Sequence, residues 1–331
     1  MSSTTIKDVL VIGFGAVGAV YAYILKKSGL TRVTVVARSN YDAINSQGLT
    51  LHSKKYGEVT GWKPDRLCRD SNNPRDTQAN GLNVEKELYE ALSKLGKVST
   101  ALYILANLLA PDVVEHNNWD QLSIGVYRYN EYRSTNNSPG EAELLENLGN
   151  ILSTGGSTIT IVPEIQRVKF QKNFWNVAYS SLSTLTGYRL PAVWRPPPTD
   201  SSVSYEPYVS PTTRKLIDEY TVPSMIATLN ELVALGRAMG FPDSQDGILS
   251  SHPEDLMALS KTQYTDPGNT HTPSMLLDAH RGLPIEVEVI FGEVVRLARE
   301  FNVPTPRVET LYGQLLVVQN QILRKIEAGR N

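Results

Sequence analysis

The apolar positions change period twice within the first forty residues. Val9-Leu10-Val11-Ile12 is a continuous apolar run of strand length. Gly13-Phe14-Gly15-Ala16-Val17-Gly18 follows at once, and an apolar helical pattern runs over 19–27. Val33-Thr34-Val35-Val36-Ala37 is strand-like again. Strand, glycine turn, helix and strand in that order predict a βαβ unit. Residues 41–47 fit a short helix, and 49–53 with 58–62 alternate like a hairpin. The next stretch, 63–79, is polar and rich in turn residues, which predicts no central strand there. A helical pattern opens at Asn80-Gly81 and lasts to about residue 94.

Further on, 100–105 reads as a strand, and 112–116 and 122–127 as antiparallel neighbours. Residues 139–153 predict a helix, with Ser138 as its cap and Glu141 completing a capping box. Strand 158–162 ends at Pro163, which marks a domain edge. From Glu164 the pattern is helical: 166–186, 223–239, 253–260, 273–279, 285–301 and 307–328, with a proline-rich loop after Gly187. The expected architecture is α/β. A dinucleotide-binding domain of doubly wound type covers 1–163, and an all-α domain covers 164–331.

Composition narrows the class. A chain of 331 residues has room for about two domains. Its net charge of −2 gives no reason to expect nucleic acid or an anionic membrane surface. The apolar run near the N-terminus is interrupted by glycines and preceded by Asp8, so no membrane role is expected. A single cysteine, Cys68, excludes an internal disulfide and suits a reducing compartment. The expected location is the cytoplasm, with the mitochondrion left open. His52, His116, His252, His271 and His280 lack metal-ligand spacing, so no metal is expected.

The glycine turn carries the first candidate chemistry. Gly13 permits the tight turn, Gly15 lets backbone approach a pyrophosphate, and Gly18 lets the helix lie close to the sheet. The helix start adds free N–H groups for phosphate. Gly13, Phe14, Gly15, Ala16, Val17 and Gly18 are therefore cofactor candidates. An acidic residue at the end of the second strand would suit a ribose hydroxyl. This chain has Arg38-Ser39-Asn40, and a guanidinium suits a 2′-phosphate. The expected cofactor is NADP(H). A solvated strand-end arginine is the competing reading.

The second candidate lies on the 166–186 helix. Lys172, Asn176 and Ser180 stand at i, i+4 and i+8, which puts an ammonium, an amide and a hydroxyl on one stripe. A proton donor of this kind neutralises the oxygen of a ketone as hydride arrives. An exposed polar face fits the same pattern. A third group is Ser274, Asp278 and Glu286, the first two on one helix face, the last just past Gly282–Pro284. First-turn glutamates and serines of this kind are common in structural roles as well.

At these residues the chain resembles the ketopantoate reductase (2-dehydropantoate 2-reductase) family. Lys172, Asn176, Ser180 and Leu182-Ser183-Thr184 follow the family's helix pattern, with Ser180 where asparagine is usual. Ser274-Met275-Leu276-Leu277-Asp278 and Glu286 follow its C-terminal pattern. Asn80-Gly81 resembles its Asn-Gly turn, and the loop after Gly187 is similar to that of fungal members. The resemblance implies a Rossmann-like domain and reduction of ketopantoate by NADPH in pantothenate biosynthesis. It implies Lys172 as general acid and Glu286 as its catalytic partner. Asn80 would contact the cofactor, and Asn176, Ser180, Ser274 and Asp278 the substrate. The expected partner is a small 2-ketoacid, with a homodimer as one expected state. The family also has a strand ending in Thr-Lys-Ala before the Asn-Gly turn. Residues 62–80 are too short and polar to hold it, which predicts a gap in the sheet and weakened stability and cofactor binding. Two alternatives stay open: a non-catalytic NADP-binding relative, and a reductase of a related specialised-metabolite ketone.

Overall fold

A computed structural model describes residues 6–69, 82, 98–199 and 204–329. They form two compact units. The first holds 6–69, 98–128 and 135–165, and the second holds 82, 129–134 and 166–329.

In the first unit, β1 (Lys7–Ile12) leads through α1 (Ala16–Lys27) to β2 (Thr31–Val36), which lies parallel to β1 with Val33 opposite Val9. The small residues Ala19 and Ala22 are buried on α1 beside Val20, Ile24 and Leu25, so the helix sits close on its neighbours. Lys26 and Lys27 fall in its last turn, where cations suit the negative end of the helix dipole. After α2 (Tyr41–Gln47) the hairpin forms where alternation places it, as β3 (Leu49–Ser53) and β4 (Gly57–Trp62).

The polar stretch that follows amends one expectation: a strand forms there, at the edge of the sheet and not at its centre. Three of its residues form β5 (Arg66–Cys68), parallel to β2 with Cys68 opposite Val36. Asp65 explains it. Its carboxylate accepts the Val33 N–H at 2.8 Å and pairs with Lys26 at 3.1 Å. Polar anchoring, not a hydrophobic run, holds this edge strand. No described strand pairs with the opposite edge of β1, and Leu10 and Ile12 on that strand are 58% and 72% exposed.

A second correction concerns 112–127. These residues form one strand, β7 (Val113–Val126), not two neighbouring ones. It runs antiparallel to β6 (Val98–Ala110). The register steps from Ile104–Asp120 to Ala106–His116, so β7 absorbs Asn117, Asn118 and Trp119 as a bulge. Asp120, between the two expected strands, and His116 are partnered inside. Asp120 pairs with Lys55 and accepts the Tyr56 hydroxyl at 2.7 Å, while Ser53 Oγ lies 2.8 Å from His116 Nδ1. β3 pairs with the first part of β7. α3 (Pro139–Thr154) carries the expected capping box, and β8 (Thr158–Glu164) pairs with the last part of β7.

The second unit is helical. α4 spans 166–186 as Gln166–Trp175, a π-turn at Asn176–Ser180, and Ser181–Thr186. α5 (Pro191–Trp194) follows. α6 covers 214–239, with a π-turn at Ile217–Thr221. α7 (His252–Thr265) outlasts its expected end, and α8 is Ser274–His280. α9 starts later than the periodicity implies, with Ile285 and Glu286 ahead of it. It opens on a π-turn at Glu288–Gly292 and continues as Glu293–Glu300. α10 is Pro306–Ala328. Phe170, Phe174, Val177, Leu229, Leu232 and Phe291 lie at the centre of the core. No helix among the described residues is long and apolar enough to cross a membrane.

One buried carboxylate ties two of these helices. Glu231 on α6 accepts the first-turn N–H groups of Arg307 and Val308 at 3.1 Å, in place of a side-chain cap on α10. Glu231→Ala leaves those donors without a partner and should cost about 2–3 kcal/mol, read as a lower midpoint in urea unfolding.

Candidate functional site

In the first unit, Gly13 sits at φ +90° and its N–H donates to Val36 O at 3.1 Å, closing the turn over the end of β2. A methyl group on Gly18 would lie 2.2 Å from Gly13 O, so only glycine lets α1 start there. Asn40 Nδ2 donates to Phe14 O at 2.5 Å and fixes the loop from the other side. Phe14 is buried and stacks on Trp62 at 6.2 Å, so it offers a ligand backbone only. Gly15 is exposed, Ala16 and Val17 are half-buried, and the space where a Gly15 Cβ would stand is open. α1 has no side-chain cap and no acidic residue in its first turn. Free amides at an uncapped start, beside open space, fit a dinucleotide's pyrophosphate.

Arg38 is exposed just past β2, and Tyr41 N–H donates to its carbonyl at 3.3 Å. A second cation stands at this end of the strands. Arg69 follows β5, lies 4.6 Å over the Tyr41 ring and pairs with Asp42. Sequence reading missed it, because nothing in 63–79 marks β5 as a strand beside β2. Asn80 lies outside the described residues.

In the second unit, Lys172 is half-buried on α4. Burial lowers its pKa to about 8, Glu286 opposes that shift, and Lys169 one turn earlier adds to it. Asn176 is half-buried at the start of the π-turn. Ser180 is 0% exposed, and its hydroxyl meets no partner among the described residues. A π-turn takes one more residue than an α-turn, which rotates the following positions by roughly 100°. The stripe drawn at 3.6 residues per turn therefore breaks after Asn176, and Ser180 turns into the core.

Ser274 is exposed at the start of α8, and half-buried Asp278 follows one turn later. Burial raises the Asp278 pKa, and Arg281 opposes this. α8 packs against both the π-turn and the last turns of α4. Glu286 is half-buried ahead of α9, and its carbonyl accepts Ile290 N–H at 3.2 Å. The preceding residue is held by Ile285 N–H donating to Gln319 at 2.8 Å. Trp175 lies one turn from Lys172, edge-on to His271 at 5.5 Å, three residues before Ser274. The second unit thus sets an ammonium of lowered pKa in the field of a carboxylate.

Two family models, described as Ketopantoate reductase PanE/ApbA and Ketopantoate reductase PanE/ApbA C terminal, match residues 9–76 and 208–319. The chain belongs to the ketopantoate reductase family. The first match contains the glycine turn and Arg38. The second contains Ser274, Asp278 and Glu286, and Lys172 lies between the two. A 2-dehydropantoate 2-reductase of Nostoc sp. is 23% identical over 337 residues, covering 92% of this chain and 93% of that protein. The crystal structure of 2-dehydropantoate 2-reductase from Methylococcus capsulatus matches with a TM-score of 0.72 at 22% identity, over 95% and 97% of the two chains. A complex of D-mandelate dehydrogenase with NADH matches with a TM-score of 0.68 at 16% identity, over 95% and 99%. Family membership makes the chain an oxidoreductase of the ketopantoate-reductase type, acting with a nicotinamide dinucleotide on a small molecule.

Proposed function

We propose that the chain reduces a 2-ketoacid with NADPH, with ketopantoate as the first candidate substrate. The observation that carries the reading is Lys172. Its pKa of about 8, set by burial against the pull of Glu286, makes it a proton donor near neutral pH. A dinucleotide held by the glycine loop would supply the hydride for the ketone carbon. Lys172 donates its proton to the carbonyl oxygen as negative charge gathers there. Glu286 keeps the amine protonated until that moment and orients it. Asn176 and Ser274 hold the substrate's carboxylate and hydroxyl by hydrogen bonds, with Asp278 one turn from Ser274. Ser180, being enclosed, takes no part in these contacts.

One observation favours a neighbouring reading. Trp175, one turn after Lys172, packs edge-on against His271, three residues before Ser274. The pair suits a 2-ketoacid with a bulky apolar substituent, as the D-mandelate dehydrogenase likeness also does. Oxidation of NADPH with ketopantoate, 2-oxoisovalerate and phenylglyoxylate tests both readings. Turnover of none of them, with NADPH still bound, would leave a binding protein without catalysis.

NADP preference rests on Arg38, with Arg69 as a second cation. Arg38→Ala removes a charge-assisted contact to the 2′-phosphate and should weaken NADPH about tenfold or more, leaving NADH affinity unchanged. Titration of both nucleotides by fluorescence checks this. An equal loss for both would remove the NADP assignment.

A further inference from the structure

The π-turn at Glu288–Gly292 presents carbonyls outside the regular ladder of α9. Two of them accept hydrogen bonds from other elements. Val289 O takes Leu82 N–H at 2.9 Å, and Ile290 O takes Asn173 Nδ2 at 2.9 Å. Asn173 follows Lys172 directly and is 2% exposed. Ile290 lies four residues past Glu286, and its own N–H is bonded to the Glu286 carbonyl. One side-chain bond therefore connects the residue after the ammonium with the turn that starts from the carboxylate.

An asparagine inside an apolar helix interface is costly unless its amide is satisfied. Asn173 is satisfied on one side only, since its Oδ1 meets no partner among the described residues. A leucine would fill a similar volume with no unmet acceptor. What leucine lacks is the donor to Ile290. The amide's distinct contribution is thus the tie between α4 and α9.

We propose that Asn173 is a positioning residue that fixes the register of α4 against α9 and so holds Lys172 in the field of Glu286. The inference rests on Lys172 being the proton donor. If the tie is cut, the helices settle at a different spacing and Glu286 acts on Lys172 from farther away. The attraction falls with distance, so burial and Lys169 then dominate and the ammonium loses its proton more readily. The basic limb of the rate profile moves to lower pH.

The test is the pH dependence of kcat for Asn173→Leu, measured with NADPH and the 2-ketoacid that the wild type turns over best. The expected result is a kcat lower by about ten- to hundredfold and a basic limb about one unit lower, with NADPH affinity unchanged. Asn173→Ser, which cannot reach Ile290, should shift the limb the same way and serves if the leucine variant does not fold. A limb that stays in place, whether or not kcat falls, overturns the proposal, because loss of packing alone would not move it. Wild-type turnover by Lys172→Ala would overturn the proton-donor reading and this proposal together. An inactive Lys172→Ala beside an unshifted Asn173→Leu overturns this one alone.

Discussion

Lys172→Ala should lose turnover by about a hundred- to ten-thousandfold, the range for removing a positioned proton donor, while NADPH binds as before. Hydride transfer leaves charge on the ketone oxygen, which the proposed donor neutralises. Lys169, one turn earlier, is buried. The pH profile carries an independent sign. As the proposed donor, Lys172 would act only when protonated, and its pKa is about 8. Reduction should therefore be flat below about pH 8 and decline above it. The variant should lose that limb. A steady-state series in NADPH oxidation checks both the size and the sign, and a Lys172→Ala protein with the same basic limb would assign the limb elsewhere.

Gly18→Ala should damage the glycine turn of the first unit severely. The added methyl would stand 2.2 Å from the carbonyl oxygen of Gly13, a backbone atom, so the turn must open or α1 must move. Overpacking of this kind costs about 1–3 kcal/mol. Expressed in binding alone, that is roughly five- to 150-fold in dinucleotide affinity. Thermal stability should fall as well, because Gly13 N–H also closes onto β2. Gly15→Ala separates the two effects. Its φ of −72° suits any residue, and its Cβ would meet nothing. That variant should keep wild-type stability and lose affinity, since the methyl occupies the approach to the pyrophosphate. Calorimetric melting beside NADPH titration distinguishes them.

The parts legible in sequence are those that local chemistry decides. The glycine turn, α1 and β2 are contiguous and need no distant partner. Ser138 and Glu141 form their capping box within four residues. The hairpin follows from alternation alone. Distant contacts hid the rest. Residues 112–127 read as two strands because nothing nearby shows that Lys55 and Tyr56 receive Asp120 inside the sheet. β5 is held by Asp65 bonding to β2, a partner thirty-two residues away. Ser180 was placed on the Lys172 stripe by a 3.6-residue period that the π-turn breaks. Asn173 gave no signal, because its partner is the backbone of Ile290 on another helix.

Among the described residues no strand pairs with the outer edge of β1, which bears on how well the first unit works. Leu10 and Ile12 are open to solvent on a strand that in a doubly wound sheet is covered on both faces. The glycine loop starts directly from this strand, so a loosened β1 weakens the loop's hold on a nucleotide without touching Lys172 or Glu286. Low affinity for NADPH combined with a normal kcat at saturation would be the signature.

Transfer of deuterium from NADPH labelled at C4 of its nicotinamide tests the central claim most directly. Incubated with ketopantoate or phenylglyoxylate, the wild-type protein should place deuterium at C2 of the resulting hydroxy acid, and Lys172→Ala should place next to none. Bound NADPH with no label reaching any 2-ketoacid would contradict it.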